Sequence, residues 1–373
     1  MVEPALASGV GRLVAVDGLR FLAALGVVLF HFTNRENDAW GAPVGEVFPE
    51  LAGVTVYGAL GVPLFFMISG FVILMSVQGK TVSHFVGSRV ARLFPAYWAA
   101  VLITGLYLLL RRDSPGVGSF DDFGFAGWVA NLTMMQPAVG VAHVDGVYWT
   151  LWVELKFYVL LGLMLLVGIT RNRIIALCVF WPLFAAVASR FDEPLLNQLL
   201  EPTYAPFFAI GMLVYLIWKE GASFLVVAIL FMNWAFTIVS AYNFFGPQFL
   251  TSPSNPHVVA AIFTAFIVVL LAATVGPLSK AAWPWITVAG ALTYPLYLLH
   301  EELGWGIISS FPQELPRYLV LVIAIVIVLA IAWLINRFVE RPLAPLLRRA
   351  VARSLAPRPV LPPTAPDPVT PAR

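Results

Sequence analysis

The chain has 373 residues, of which 60% are hydrophobic and only 11% are charged, and its mean hydropathy is +0.87. Soluble globular chains carry about 25% charged residues, so this composition excludes an ordinary soluble domain and favours a membrane protein. The formal net charge of +2 gives no indication of nucleic-acid binding, and we expect none. Cys178 is the single cysteine, which excludes a disulfide framework and a cysteine-based metal site. We expect no bound metal.

Apolar runs long enough to cross about 30 Å of hydrocarbon recur along the chain. They predict an all-α, polytopic membrane bundle of about ten transmembrane helices, at residues 14–33, 55–77, 94–111, 147–168, 173–190, 203–218, 222–242, 256–276, 285–309 and 317–338. Lysine and arginine between the spans favour the side of both termini by roughly three to one, so we expect the N- and C-termini to be cytoplasmic.

This topology divides the chain into three parts. Residues 1–13 form a cytoplasmic N-terminus, 14–345 a transmembrane domain, and 346–373 a Pro-rich cytoplasmic tail that we expect to be disordered. The protein is therefore expected to be a multi-pass protein of the cell membrane.

The first span carries Arg20 near its cytoplasmic end and His31 toward the outer leaflet. Eleven residues are about three helical turns, so both side chains lie on one face, about 16.5 Å apart along the axis. Ionisable groups are costly in lipid and normally face a bundle interior or a water-filled cavity. Snorkelling of Arg20 and an interfacial His31 would also explain the pattern.

The second span and the segment before the third carry two further signals. Small residues in the second span favour close helix packing: Gly58, Gly61, Ser69 and Gly70. Arg89 and Arg92 lie on one helix face just before Pro95, where we expect the third span to begin. Two arginines at this surface suit phosphate binding, and anionic lipid is the alternative partner.

Polar residues also interrupt the fourth and ninth spans. Glu154 and Lys156 lie deep in the fourth span, behind Trp149, which also suits an interfacial aromatic belt. In the ninth span Tyr294, Tyr297 and His300 follow one another at three-residue steps, and Glu301 and Glu302 come next. Such a stripe is too polar to face lipid, so we expect it to line an internal space.

Six motifs in this order resemble the acyltransferase-3 family of integral membrane acyltransferases, over roughly residues 14–345. They are D-G-L-R with the histidine eleven residues later (Asp17, Gly18, Arg20, His31), G-V-x-L-F-F-x-I-S-G-F (61–71), R-x-x-R-L-x-P-x-Y (89–97), Y-W-T-L-x-x-E-L (148–155), T-Y-P-L-Y-L-x-H (293–300) and E-R-P (340–342). Any one of these motifs is weakly specific, whereas all six together are specific. The ten-span core of that family agrees with the number of spans predicted from hydropathy.

The resemblance implies a membrane O-acyltransferase, a transferase of groups other than amino-acyl groups. It would move an acyl group, usually acetyl, from cytoplasmic acyl-CoA to a hydroxyl of a cell-surface or exported glycan of the exopolysaccharide, lipopolysaccharide or peptidoglycan type. Acyl-CoA is then a co-substrate, and no bound cofactor is expected.

The resemblance also suggests roles for individual residues. His31 is the expected general base, because an imidazole titrates near neutrality, and Glu154 would orient it or bind acceptor hydroxyls. Arg20, Arg89 and Arg92 would hold the CoA phosphates. The remaining candidates would line the tunnel or help to stabilise an oxyanion: Asp17, Ser69, Trp149, Tyr294, Tyr297 and His300. Ser69 is a conceivable nucleophile, but we expect it to pack or to form a hydrogen bond.

Three other functions remain open from the sequence. The acceptor of the acyl group could be an antibiotic or macrolide sugar instead of a glycan polymer. A small-solute transporter would also need a polar path, although no internal repeat of the kind common in transporters is visible. A non-catalytic scaffold is disfavoured, because intramembrane ionisable groups are costly to keep without a use.

Overall fold

The computed structural model describes residues 13–111, 118–191, 193–241, 254–280 and 283–354, and in these ranges every regular element is a helix. The α-helices are α1 (Val14–Thr33), α2 (Val44–Val47), α3 (Pro49–Thr55), α4 (Gly61–Val77), α5 (Val82–Leu110), α6 (Gly124–Asn131), α7 (Trp149–Val167), α8 (Arg171–Ala188), α9 (Pro194–Leu200), α10 (Ala205–Glu220), α11 (Phe224–Ala241), α12 (Pro256–Thr274), α13 (Pro284–Leu299), α14 (Glu302–Ser309), α15 (Arg317–Ile335) and α16 (Arg341–Ser354).

The helices confirm a polytopic membrane bundle. Within the described ranges, nine helical segments are long and apolar enough to cross a membrane, and each overlaps a predicted span. Large apolar side chains remain exposed on their outer faces, as lipid contact requires, for example Leu102, Leu163 and Val326.

Two predicted spans differ from the structure. The third does not begin at residue 94: α5 starts at Val82, is about 43 Å long, and contains Pro95 in its interior. The ninth, at 285–309, is not one helix but two, α13 and α14, separated at His300 and Glu301. Hydropathy missed this break because apolar residues continue on both sides of it.

Local sequence explains where several helices begin and end. The side chains of Thr81, Thr170 and Asn255 accept hydrogen bonds from the first-turn amides of α5, α8 and α12. Gly168 and Gly221 have φ of +91° and +85° directly after α7 and α10, a backbone conformation that favours glycine. These capping residues and glycines mark the ends of the helices. The positions of the ends determine which side chains of neighbouring helices lie at the same depth in the bundle.

Close helix contacts form the centre of the bundle. Helix α4 packs along α10, and α1 packs along α13. Gly70 of α4 and Gly211 of α10 lie so close to the opposite helix that a Cβ would collide with the carbonyl groups of Phe208 and Met67. The small residues of the second span therefore do permit close approach of the backbones, as the sequence predicted.

The chain continues as a helix beyond the last span. A π-helical turn, Asn336–Glu340, joins α15 to α16, which packs against α5 and runs to Ser354. Residues 346–354 are thus helical rather than disordered, because leucine, alanine and arginine are strong helix formers and α5 supports the helix. The rest of the predicted tail, 355–373, lies outside the described residues, as do residues 1–12.

Candidate active site

A narrow cavity of about 50 Å³, named the central cavity below, lies between α1, α4, α7 and α13. Each of these helices contributes at least one polar side chain to its wall. The lining residues are Arg20, Val62, Phe65, Phe66, Ser69, Thr150, Leu151, Glu154, Thr293, Tyr294 and Tyr297. The apolar members come from α4 and α7, so the cavity offers both an apolar surface and hydrogen-bonding groups to a ligand.

Hydrogen bonds join the polar residues of this wall in pairs. The Ser69 hydroxyl donates to Oε1 of Glu154 over 2.6 Å, which connects α4 to α7. The hydroxyls of Thr150 and Tyr297 lie 3.0 Å apart, which connects α7 to α13. Ser69 therefore has a carboxylate beside it, a base that sequence spacing alone could not reveal.

Beyond Tyr297, the wall is backed by a pair of buried histidines. Nε2 of His300 lies 3.0 Å from Nδ1 of His31, and Nδ1 of His300 lies 2.8 Å from the Tyr297 carbonyl oxygen. Nδ1 of His31 also lies 2.9 Å from the Val27 carbonyl oxygen. A carbonyl can only accept, so we assign the proton to Nδ1 in both rings. This assignment leaves Nε2 of His31 with its lone pair free to act as a base.

The residue beside Nε2 of His31 is Glu301 and not Glu154. Oε1 of Glu301 lies 3.4 Å from Nε2 of His31 and 3.4 Å from Nε of Arg35. The break between α13 and α14 brings this carboxylate inward, whereas Glu154 lies at the depth of Ser69 on another helix. The structure thus gives His31 a contact with Glu301, whereas Glu154 hydrogen-bonds to Ser69, and the alternative role of Glu154 in binding acceptor hydroxyls stays a prediction. The indole of Trp305 donates to the His31 carbonyl over 2.9 Å and supports the same ring.

A loop before α7 adds a further acidic group close to Glu301 and Glu302. Asp145 accepts hydrogen bonds from the backbone amides of Val147 (3.2 Å) and Glu302 (3.3 Å). Its burial, together with the nearby carboxylates of Glu301 and Glu302, raises the pKa of Asp145 well above its usual range. Burial also lowers the pKa of His143, which hydrogen-bonds to Gln136. Within the described ranges, no cluster of three or more His, Cys, Asp and Glu side chains could hold a metal ion.

The opposite end of the central cavity is rich in arginine. Arg20 lines the cavity and interacts electrostatically with Glu154, Asp17 and Arg92. Arg92 donates to Oε1 of Glu340 over 2.6 Å, and its guanidinium lies 5.6 Å from the centre of the Tyr294 ring. The E-R-P motif thus supplies an ion-pair partner for the second arginine of R-x-x-R.

The predicted site residues separate into three groups. Five line the central cavity: Arg20, Ser69, Glu154, Tyr294 and Tyr297. His31 and His300 lie directly behind its wall, and Asp17 lines a second cavity near the start of α1. Three do not line either cavity: Arg89 lies over the rings of Phe85 and Tyr158, Arg92 pairs with Glu340, and Trp149 packs against Tyr204.

Sequence reasoning missed Arg35, Thr150, Glu301 and Glu340 as members of the site. Glu301 follows His300 directly, and Glu340 belongs to the E-R-P motif. The sequence therefore pointed to both residues, but it did not show which side chains they contact. Lys156, the other charge inside the fourth span, forms an ion pair with Glu201 and donates to the Gln198 carbonyl over 2.6 Å.

Fold and site together define a multi-pass membrane protein whose helices enclose a polar cavity, with two histidines beyond one end and arginines at the other. The family described as "Acyltransferase domain" matches residues 13–337. The chain therefore belongs to the acyltransferase-3 family.

Two curated relatives are similar over shorter stretches. The chain is 30% identical over 155 residues to "Acyltransferase MdmB" of Streptomyces mycarofaciens, a stretch that is 39% of this chain and 38% of the relative. It is 28% identical over 231 residues to "Nodulation protein 10" of Rhizobium leguminosarum bv. viciae, which is 55% of this chain and 60% of the relative. These matches thus span less than two thirds of either relative. No solved structure matches this chain.

Proposed function

We propose that this protein is an O-acyltransferase of the cell membrane that transfers an acyl group, with acetyl as the first candidate, from acyl-CoA to a hydroxyl of a glycan. The family membership supports the reaction type. The observation that carries the proposal is the position of His31, which is buried inside the bundle, has Glu301 beside Nε2, and is linked through His300 to Tyr297, a residue of the central cavity.

In this proposal the acceptor hydroxyl approaches His31 from the end of the bundle that carries Arg35 and Asp145, which we predict to be the outer end. Nε2 of His31 accepts the hydroxyl proton while the oxygen attacks the thioester carbonyl. The carbonyl oxygen becomes an oxyanion, which the Tyr297 hydroxyl stabilises by turning its proton from Thr150 toward it, since Thr150 itself donates to the Val147 carbonyl. The C–S bond then breaks, and the departing thiolate of CoA takes the proton back from the imidazolium.

The donor would use the other end of the central cavity, where Arg20 supplies a positive charge for its phosphates. Separate ends for donor and acceptor explain why the polar residues extend across the bundle instead of forming one compact group. A transporter would also use such a path, but it would leave the thioester intact.

The test is a transfer assay with the purified full-length protein in phospholipid nanodiscs. Radiolabelled acetyl-CoA is added together with a membrane glycan extract from cells lacking the protein, and label in the glycan fraction and free CoA thiol are both measured. We expect His31→Ala to lower transfer by about 10²- to 10⁴-fold, while His257→Ala, an exposed histidine at the start of α12, retains activity.

Unchanged transfer by His31→Ala at normal protein levels would disprove the role of the base. Thioester that stays intact with the wild-type protein, for acetyl-CoA and for longer acyl-CoA donors, would contradict the proposed reaction as a whole. Mass spectrometry of the labelled products then identifies the acceptor.

A further inference from the structure

A second cavity, named the inner-end cavity below, opens between the first turns of α1, the last turns of α4 and the loop that follows α4. Its volume is about 360 Å³, and its polar lining consists of Asp17, Arg20, Ser76, Gln78 and Lys80. Small-molecule sites usually measure about 300–1,000 Å³, so this volume lies within the range of sites that bind small ligands. This cavity lies at the end of the bundle that we predict to be cytoplasmic.

The inner-end cavity adjoins the central cavity through one side chain. Arg20 lines both, and it is the only residue that the two linings share. A ligand that occupies the inner-end cavity therefore has the guanidinium of Arg20 between it and the Ser69–Glu154 pair. This is the geometry that a long molecule with an anionic head and a narrow arm requires.

Two further features favour an anionic ligand there. Lys80 is exposed, and its ammonium group has room to move toward a bound phosphate. Helix α1, with twenty residues, begins at this cavity, so the positive end of its helix dipole lies there; among the described residues, Leu13 at its start provides no side-chain cap. Asp17 is the one acidic residue of the lining, and it suits a hydroxyl or amino group of the ligand.

Two of the three arginines that the sequence suggested for phosphate binding, Arg89 and Arg92, have other partners. Arg92 pairs with Glu340, which is itself hydrogen-bonded to Asn336 over 2.8 Å. Arg89 lies against the rings of Phe85 and Tyr158, with ring-centre distances of 5.9 and 5.8 Å. Neither arginine lines the inner-end cavity or the central cavity, whereas Lys80 lines the inner-end cavity.

We propose that the inner-end cavity binds the phosphorylated nucleotide of the thioester donor, with Lys80 and Arg20 as its phosphate contacts, and that the donor's arm passes Arg20 into the central cavity. The inference rests on the proposed function for the identity of the donor. It adds Lys80 to the site and places donor access between α1 and α4 instead of along the R-x-x-R face of α5.

The test measures binding, not turnover. Full-length protein in phosphatidylcholine nanodiscs is titrated by calorimetry with CoA, with 3′-dephospho-CoA and with pantetheine. We expect Lys80→Gln to weaken CoA binding by about three- to tenfold, the range for a partly exposed charge–phosphate contact, and to leave pantetheine binding unchanged. The matched control is Lys219→Gln, near the end of α10 beside Tyr215 and outside both cavity linings, which should bind CoA like the wild type.

A second measurement does not depend on the loss of a charge. The thiol introduced by Lys80→Cys should react with N-ethylmaleimide, and acetyl-CoA should slow this labelling, while S-acetyl-pantetheine, which lacks the nucleotide, should not. Cys178 is buried, so it contributes little background. Labelling that acetyl-CoA does not slow would overturn the assignment.

The outcomes separate this inference from the proposed function. If Lys80→Gln binds CoA normally while Arg89→Gln binds it weakly, the nucleotide lies on α5, and the inference fails while the function stands. If phosphatidylglycerol in the nanodisc abolishes CoA binding to the wild type at constant ionic strength, the cavity is a lipid phosphate site, which also overturns the inference. If the wild-type protein binds neither CoA nor 3′-dephospho-CoA, the proposed function itself fails.

Discussion

Glu301 is the acidic residue that lies beside Nε2 of His31, on the side of the ring opposite His300. His31 is held from one side by the Val27 carbonyl and His300, and the opposite nitrogen faces Oε1 of Glu301. A carboxylate at this point stabilises an imidazolium as it forms, and Nε of Arg35 lies 3.4 Å from the same oxygen. In the proposed reaction Glu301 thus acts through His31.

Replacing Glu301 tests its proposed effect on His31, with the neighbouring Glu302 as the control position. We expect Glu301→Gln to lower kcat for acyl transfer by about tenfold or more, since a loss of ~1.4 kcal/mol of transition-state stabilisation is tenfold, with little change in KM for the donor. The control is Glu302→Gln, because the Glu302 carboxylate accepts from the Gly118 amide, as a glutamine oxygen also can. Equal losses in both variants would show a structural effect of the region. Steady-state rates in nanodiscs provide the measurement.

A second prediction at the residue scale concerns whether Ser69 acts as a nucleophile. Its hydroxyl donates to the Glu154 carboxylate, a contact that can activate a nucleophile. Direct transfer with His31 as the base nevertheless predicts no acyl-enzyme when the wild-type protein meets acetyl-CoA without acceptor. Intact-protein mass spectrometry checks this. An acetyl adduct that disappears in Ser69→Ala would establish a covalent route and replace the direct transfer proposed above.

The sequence alone identified candidate site residues where an ionisable side chain interrupts an apolar segment. Arg20, His31 and Glu154 stand out because each is ionisable within an apolar run, and the structure places all three inside the bundle. Contacts between them were not predictable. Glu301 reaches His31 only because the backbone breaks between α13 and α14, and a one-dimensional pattern does not encode which side chain then turns inward.

At the scale of elements, hydropathy predicted that the membrane spans exist. The exact ends and breaks of the helices depend instead on packing against neighbours. The apolar runs gave the positions of nine helical segments because lipid contact requires them. The break in the ninth span and the early start of α5 depend on neighbours and capping, for example on Thr81 at the start of α5. Hydropathy averages over a window and does not resolve either feature.

The close packing of α4 against α10 should be disrupted by a single added methyl group. We expect Gly211→Ala to destabilise the protein by about 1–3 kcal/mol, because the new Cβ would collide with the Met67 carbonyl. Gly53→Ala in α3 is the control, since nothing lies within 4 Å of its Cβ position, and it should be neutral or slightly stabilising. Thermal unfolding in detergent distinguishes the two; equal melting temperatures would contradict the packing described.

The loop that carries Asp145 predicts a pH dependence of stability. A carboxyl whose pKa is raised by folding contributes stability at low pH, and this contribution is lost as pH rises through the folded-state pKa. We therefore expect the wild-type melting temperature to fall more between about pH 5 and pH 8 than that of Asp145→Asn. The exposed Asp121→Asn serves as a control with wild-type behaviour. A fall as large in Asp145→Asn as in the wild type would disprove the assignment.

At the scale of the whole molecule, distant motifs meet along one axis. Motifs from the first and ninth spans join at His31 and His300, and those from the second and fourth join at Ser69 and Glu154. Arg92 meets Glu340, 248 residues later in the chain. The order of motifs indicated one family, but their pairing became visible only in three dimensions, because helix neighbours need not follow chain order.

The orientation in the membrane remains a prediction of the charge distribution. We expect both termini on the cytoplasmic side, so green fluorescent protein fused to the C-terminus should fluoresce, and alkaline phosphatase fused at the same point should be inactive. A fusion within the loop at 34–43, at the opposite end of α1, should give the reverse pattern. Active phosphatase at the C-terminus would invert the topology and the assignment of donor and acceptor ends.

The position of Arg20 between the two cavities also bears on how the cell keeps its ion gradients. An open polar passage across a bilayer would leak protons and sodium and would dissipate the energy stored there. A positive charge where the two cavities meet repels cations, as arginine does in water-selective pores. The same guanidinium that would attract the proposed anionic donor therefore helps to insulate the membrane while the passage is empty.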